Sequence, residues 1–306
     1  MRIVVTGGCG YVGSVLVPEL LSQGHHVRVI DLQWFGNYLA PHKRLNIVKT
    51  DIRRDFPIGD ADCFIHLAGV ANDPAGELDP KLTWEINALA TMRLADRCVR
   101  DGVKQFIYAS SGSVYGVSKE EQVTEDLPLV PLSEYNKTKM VAERVLLSYS
   151  DKMAVQIVRP ATVCGFSPRM RLDVMVNGFV MQAMTQNYIV FNGGEQYRPN
   201  IHIEDMVNLY LWFLDRPGLT GIYNAGFENL QIKEIAQKVA DKTGAKIHSR
   251  PSNDPRSYRL NSDKLLKTGF SPYGSVADAI DQMVQKIKSG ELTDKPQWHS
   301  LKAMQA

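Results

Sequence analysis

Residues 2–24, "RIVVTGGCGYVGSVLVPELLSQG", constrain the chain most. A β-branched run ends in glycines, and apolar residues at helical spacing follow until Gly24. Strand, glycine turn and helix in direct succession open a β–α unit, and such units build parallel sheets covered by helices. The alternation continues. Strand-like runs occupy 26–31, 45–52, 62–69, 104–111 and 154–160, with helical stretches at 82–102 and 134–150. The strands are apolar almost throughout, as burial on both faces requires. The expected fold is α/β, a doubly wound parallel sheet.

After Pro160 the pattern loosens. Segment 165–197 reads as a lid-like lobe with a helix over 173–186. Segment 197–218 returns to strand then helix, and 221–226 reads as a last strand. Two helical segments, 231–243 and 275–289, flank a basic, proline-containing loop. The expected division is 1–164 with 198–226 as the main domain, and 165–197 with 227–290 as a smaller, discontinuous substrate domain. Residues 291–306 read as a polar, loosely held tail.

The bulk numbers narrow the function classes. A chain of 306 residues, 44% apolar and 22% charged, has an ample core. Its net charge of +2 comes from both signs spread along the chain, which argues against nucleic-acid and membrane-surface binding. Cys9, Cys63, Cys98 and Cys164 form no C-x-x-C pair, so neither a disulfide framework nor a metal site is expected, and a reduced cytoplasmic compartment fits. No signal segment precedes the strand at residue 2, and no apolar run reaches membrane-spanning length.

Gly7, Gly10 and Gly13 lie between the first strand and the first helix, and Gly8, Gly10 and Gly13 satisfy G-x-G-x-x-G. This spacing permits a tight turn and close approach of the backbone to a pyrophosphate held at the helix N-terminus. Tyr11 and Val12 fall within the turn. Asp31 ends the second strand, eighteen positions after Gly13. A carboxylate there accepts hydrogen bonds from both ribose hydroxyls and repels a 2′-phosphate, so the expected cofactor is NAD rather than NADP. The strand ends "TDIR" and "HLAG" place Asp51, Ile52, Leu67, Ala68 and Gly69 at the carboxyl edge, where ligands sit. Asp51 is expected to meet the adenine amino group, while His66 reads as a packed strand residue. The bland alternative is a glycine turn in a non-binding protein.

"YASSGSVYG" ends a later strand with Ser110 and Ser111, and "SEYNKTK" puts Tyr135 and Lys139 on one helix face. A serine hydroxyl can hold a substrate oxygen and a tyrosinate can take its proton. A lysine can lower the tyrosine pKa and bond the nicotinamide ribose. Ser111, Tyr135 and Lys139 are therefore the candidate catalytic residues. Ser110, Tyr135 and Lys139 are also expected beside the cofactor.

These residues resemble the extended short-chain dehydrogenase/reductase family, particularly its nucleotide-sugar epimerases and dehydratases. The likeness rests on the three glycines, Asp31, "DIR", "HLAG", Asn87, "SSGSVYG" and "YNKTK". It implies a Rossmann-type main domain, NAD, and a nucleotide-diphosphate sugar as substrate. It implies that Asn87 contacts the cofactor region from a helix. It also implies that Arg198, Arg256 and Asn177 bind the substrate diphosphate, and that Thr162 stands where related epimerases carry a sugar-binding asparagine. Two or three separated arginines converging on one lobe suit a diphosphate; the alternative is that Arg169, Arg171 and Arg259 are only solvated surface charge. Cys164 is either a base beside the ketone or a small core thiol. Trp84, Leu89 and Met92, with Met140, Val145 and Leu147, imply a four-helix contact in a homodimer; the alternative is a monomer that buries them itself.

One departure is informative. The 4,6-dehydratases of this family carry an Asp–Glu pair where Gly112 and Ser113 stand here, so elimination of water lacks its agents. The expected activity is NAD-dependent epimerisation through transient oxidation at C4. Two alternatives remain: a dehydrogenase or reductase that releases the keto product, and a non-catalytic dinucleotide-binding scaffold.

Overall fold

The computed structural model describes residues 1–118, 120–254 and 256–305; Lys119, Pro255 and Ala306, the last of these in the expected tail, lie outside the described residues. The first six strands are β1 (Arg2–Thr6), β2 (His26–Asp31), β3 (Leu45–Lys49), β4 (Cys63–His66), β5 (Gln105–Ala109) and β6 (Ala154–Pro160). They are followed by β7 (Thr162–Cys164), β8 (Tyr188–Asn192), β9 (Tyr197–His202), β10 (Gly221–Ala225), β11 (Glu228–Gln231) and β12 (Lys246–Arg250).

Strands apolar at successive positions have no solvent face, and the sheet is built accordingly. Ile3 and Val5 of β1 feed one core and Val4 the other. The helices Gly13–Ser22 and Ile203–Leu214 close the first side with Leu16, Val17, Leu20, Val207 and Phe213. The helices Thr91–Arg100 and Glu134–Leu147 close the second with Leu94, Ala95, Ala142 and Leu146. The sheet runs β10-β6-β5-β4-β1-β2-β3, with its pairs parallel. The chain winds outward from β1 to β3, then restarts at β4 and winds the other way. β1 and β4 therefore flank the switch point, and a crevice opens beyond their carboxyl ends.

A second core gathers Val176, Val180, Ile235, Val239, Ile280 and Met283 from helices Met175–Gln186, Ile232–Thr243 and Val276–Lys288. Two small sheets border it, β11-β9-β7 and β12-β8. Three expectations change. β9, expected to accompany the main sheet, pairs instead with β7 and β11. The helix expected over 82–102 is divided, with a wider-wound turn at Glu85–Ala90 between Pro80–Trp84 and Thr91–Arg100. The segment expected as a loose tail is packed: Leu292 and Trp298 are buried, Leu172 N donates to Trp298 O (2.8 Å), and Ser300–Gln305 is helical. The reason is apolar side chains spaced too far apart to stand out among polar neighbours. No helix among the described residues is long and apolar enough to cross a membrane.

Candidate active site

The glycine turn is fixed by contact distances. Gly7 has φ +74°, and a Cβ there would lie 2.6 Å from Ala68 N. At Gly13 a Cβ would lie 2.5 Å from Gly7 O. The turn and the exit of β4 thus meet backbone to backbone, which glycine alone permits. Helix Gly13–Ser22 begins without a side-chain cap, and Ser14, Val15 and Leu16 N donate to Gly10 O and Val12 O, so the positive helix end meets an anion through the turn that precedes it.

Around this turn lies a cavity of about 610 Å³. Gly7, Gly10, Tyr11, Val12, Gly13, Asp31, Asp51, Ile52, Leu67, Ala68, Gly69, Ser110, Ser111, Tyr135, Lys139 and Thr162 all line it. Asp31 accepts from Cys9 N (2.9 Å) and Gln33 N (2.6 Å). Burial raises its pKa while these bonds pull it back; a carboxylate so held keeps lone pairs for two further donors. Asp51 is gripped by Arg53 through Nε and Nη2, which holds its carboxyl below the usual range.

Helix Glu134–Leu147 presents Tyr135 and Lys139 one turn apart, with Ser133 capping it by accepting from Asn136 N. Lys139 Nζ donates to Ala109 O (2.8 Å) and lies 5.9 Å from the centre of the Tyr135 ring. Burial lowers its pKa to about 8. Tyr135 shifts the other way: burial raises it, and a hydrogen bond with Ser111 and the charge of Arg171 oppose the rise. The expected lowering of the phenol is not realised here: burial outweighs the opposing effects of Ser111 and Arg171, and the pKa lies above its ordinary value. Ser111 Oγ also pairs with Ser113 Oγ (2.7 Å), and Ser113 Oγ donates to Asn136 Oδ1. Gly112 and the hydroxyl of Ser113 thus stand where the dehydratases carry their acid pair.

Four expected contacts lie elsewhere. Asn87 is buried with its amide committed to Val70 N (2.9 Å), Val70 O (3.0 Å) and Thr138 Oγ1 (3.2 Å). It braces the loop after β4 rather than lining the cavity. Asn177 is fully buried, accepting from Gly165 N and donating to Arg171 O and Tyr11 OH; an amide with no surface and no free groups cannot meet a diphosphate. Arg198 and Arg256 do converge, but on Asp254 (3.0 and 2.8 Å), with Arg256 also bound to Asp73 (2.8 Å) at the cavity wall. Any diphosphate there competes with Asp254.

Other residues fall on the bland side of their alternatives. His66 bonds Thr6 Oγ1 (2.6 Å) and Thr91 Oγ1 (2.9 Å), and burial lowers its pKa to about 3. Cys164 is a buried core thiol whose pKa burial raises. Arg259 stacks on Tyr197 (3.8 Å).

The sequence reading left two contributors open and missed a third. Arg169 and Arg171, for which solvated surface charge was the alternative, both line the cavity, Arg171 in a two-bond pair with Asp173 (3.0 Å each). Their signal is position, just past the carboxyl end of β7. Gly76 is the third: a Cβ there would lie 3.0 Å from Tyr135 Cβ, so helix Asp73–Leu78 packs closely against the backbone that carries the phenol.

A glycine turn at the switch point, an acid after the second strand and a Ser–Tyr–Lys set in one cavity define an extended short-chain dehydrogenase/reductase enzyme with a Rossmann-type fold. Residues 3–226 match the NAD dependent epimerase/dehydratase family, and the chain belongs to it. NAD is its cofactor, and the cradle at Gly7, Gly13 and Asp31 fits that group. The chain is 30% identical to the uncharacterized UDP-glucose epimerase YtcB of Bacillus subtilis, over 94% of this chain and 98% of that one. It is 29% identical to UDP-glucuronic acid decarboxylase 1 of Xenopus tropicalis, over 94% of this chain and 72% of that one. UDP-glucuronic acid 4-epimerase of Bacillus cereus, solved with a 4-deoxy-4-fluoro UDP-glucuronic acid and NAD, superposes with a TM-score of 0.83 at 25% identity, covering 94% and 99% of the two chains.

Proposed function

We propose that this enzyme epimerises a nucleotide-diphosphate sugar through a transient 4-ketone. The observation that carries the reading is the convergence of Ser111, Tyr135 and Lys139 on the cavity that holds the glycine turn. NAD, when bound, supplies the hydride acceptor and then the donor. Ser111 holds the C4 oxygen, Tyr135 takes its proton and later returns it, and Lys139 keeps two donors for the ribose beyond its bond to Ala109 O. Arg171 adds positive charge that favours the phenolate. Gly112 and Ser113, in place of carboxylates, support epimerisation over dehydration. The lining carboxylates among the described residues are Asp31, Asp51 and Asp73. Arg198 and Arg256 anchor the substrate diphosphate in this reading, at the expense of Asp254, and Thr162 borders the sugar. Leu89 and Met92, both exposed, form the contact of a homodimer.

The test is incubation with UDP-glucose, UDP-galactose and UDP-glucuronic acid in deuterated buffer, followed by proton NMR. Inversion at C4 without solvent deuterium, and without net NADH, is expected. Accumulating NADH would assign a dehydrogenase instead. Carbon dioxide from UDP-glucuronic acid would assign a decarboxylase, since a 4-ketone lies β to that carboxylate. Tyr135→Phe is expected to cut turnover by roughly 10²–10⁴ while leaving NAD bound; full activity would remove the phenol from the reaction.

A further inference from the structure

Arg169 is 2% exposed, and among the described residues no carboxylate lies within ion-pair distance of it. Among the described residues its Nε has no hydrogen-bond partner, and its Nη2 reaches only Ser300 Oγ, at 3.5 Å. The guanidinium stacks 3.9 Å from the centre of the Phe35 ring. Arg169, Phe35, Ser300 and Asp31 all line the main cavity. A buried cation left unpaired is costly, so the arrangement calls for an anion inside the cavity.

The position of Arg169 narrows which anion. Ser167 Oγ donates to Tyr11 O (2.7 Å), and Tyr11 OH donates to Gly165 O (2.7 Å). Segment 165–169 is therefore fastened to the glycine turn, next to the uncapped start of helix Gly13–Ser22. Asp31, also beside Arg169, suits ribose hydroxyls and repels a phosphate on the ribose. Arg198 and Arg256 belong to a different wall and already share Asp254.

We propose that Arg169 is a ligand of the cofactor's diphosphate, supplied by the segment that follows β7 rather than by the glycine turn. Phe35 and Ser300 hold the planar fork ready, so that residues from three parts of the chain close on the dinucleotide. The inference rests on NAD binding and holds whichever reaction the site performs.

The experiment is equilibrium titration of the full-length chain, freed of nucleotide by dialysis, with ADP, AMP and adenosine. Arg169→Gln is expected to weaken ADP binding by about 10- to 100-fold and adenosine by less than about threefold. Unchanged ADP affinity overturns the proposal. So does equal weakening of all three ligands, which would place the contact on the nucleoside or make the residue structural. If the Gln variant does not fold, Arg169→Lys keeps the charge and loses the fork. It is then expected to weaken ADP by about threefold or more with adenosine unchanged, and wild-type affinity for ADP would sink the assignment.

Discussion

Two arginines in this molecule are each 2% exposed, and they are buried in opposite ways. Arg159 bonds Glu143 through Nε (2.9 Å) and Nη2 (2.7 Å), and its Nη1 donates to Tyr115 OH (2.6 Å). Tyr115 OH donates onward to Asn224 Oδ1 (2.8 Å), and Ser110 Oγ donates to Glu143. Every partner in that network is protein. Arg169 has an aromatic ring, one distant hydroxyl and an orphan Nε. A charge withdrawn from water needs a partner. Where the chain provides it, the charge joins strand to helix; where the chain withholds it, the position is kept for a ligand.

The sharpest way to break this comparison is to truncate on both sides. Glu143→Ala leaves Arg159 buried and alone, and is expected to cost about 3–5 kcal/mol in urea unfolding. Arg169→Met is expected to leave the nucleotide-free chain as stable or more stable, while the gain in melting temperature on adding NAD shrinks. Equal destabilisation by both changes would abolish the distinction.

Lys139 is a third buried cation and extends the test to pH. Its folded pKa is about 8, below its ordinary value. Between about pH 8 and 10 the unfolded chain holds the proton that the folded chain has lost, so this group's contribution to stability rises with pH, by about 1–3 kcal/mol. Lys139→Met is expected to flatten that rise in unfolding curves at pH 7.5 and 10, and to abolish turnover. A wild-type slope in the variant would mean the ammonium is solvated. The smallest effect belongs to the surface. Leu89→Glu is expected to change unfolding by no more than about 0.5 kcal/mol while turning a dimer into a monomer in sedimentation. A wild-type monomer would remove the pairing surface.

The first half of the chain was legible because its signals repeat. Successive apolar residues marked β1, β4 and β5, and the glycine turn sat where strand gave way to helix. Sixteen expected site residues line one cavity for the same reason: strand ends in a parallel sheet share an edge. The second half carried weaker signals. β7 has three residues and β12 is mostly exposed, so neither builds a period. Asn177 looked like a ligand because it is polar, but polarity does not tell whether an amide faces a cavity or spans the interior between Gly165 and Arg171. Arg169 stayed undecided for a related reason. Nothing in "SPRMRLD" distinguishes a solvated guanidinium from one stacked on an aromatic ring 134 positions earlier.

Asp73 has a mechanical consequence. One oxygen accepts from Ser133, the cap of the helix that carries Tyr135; the other binds Arg256 on the far wall. Next to it, Asn72 donates to Asp173, the partner of Arg171. The rim of the cavity and the first turn of the helix that aims the phenol are therefore mechanically joined. A displacement of Arg256 would be felt at the cap of the phenol's helix, through a single carboxylate.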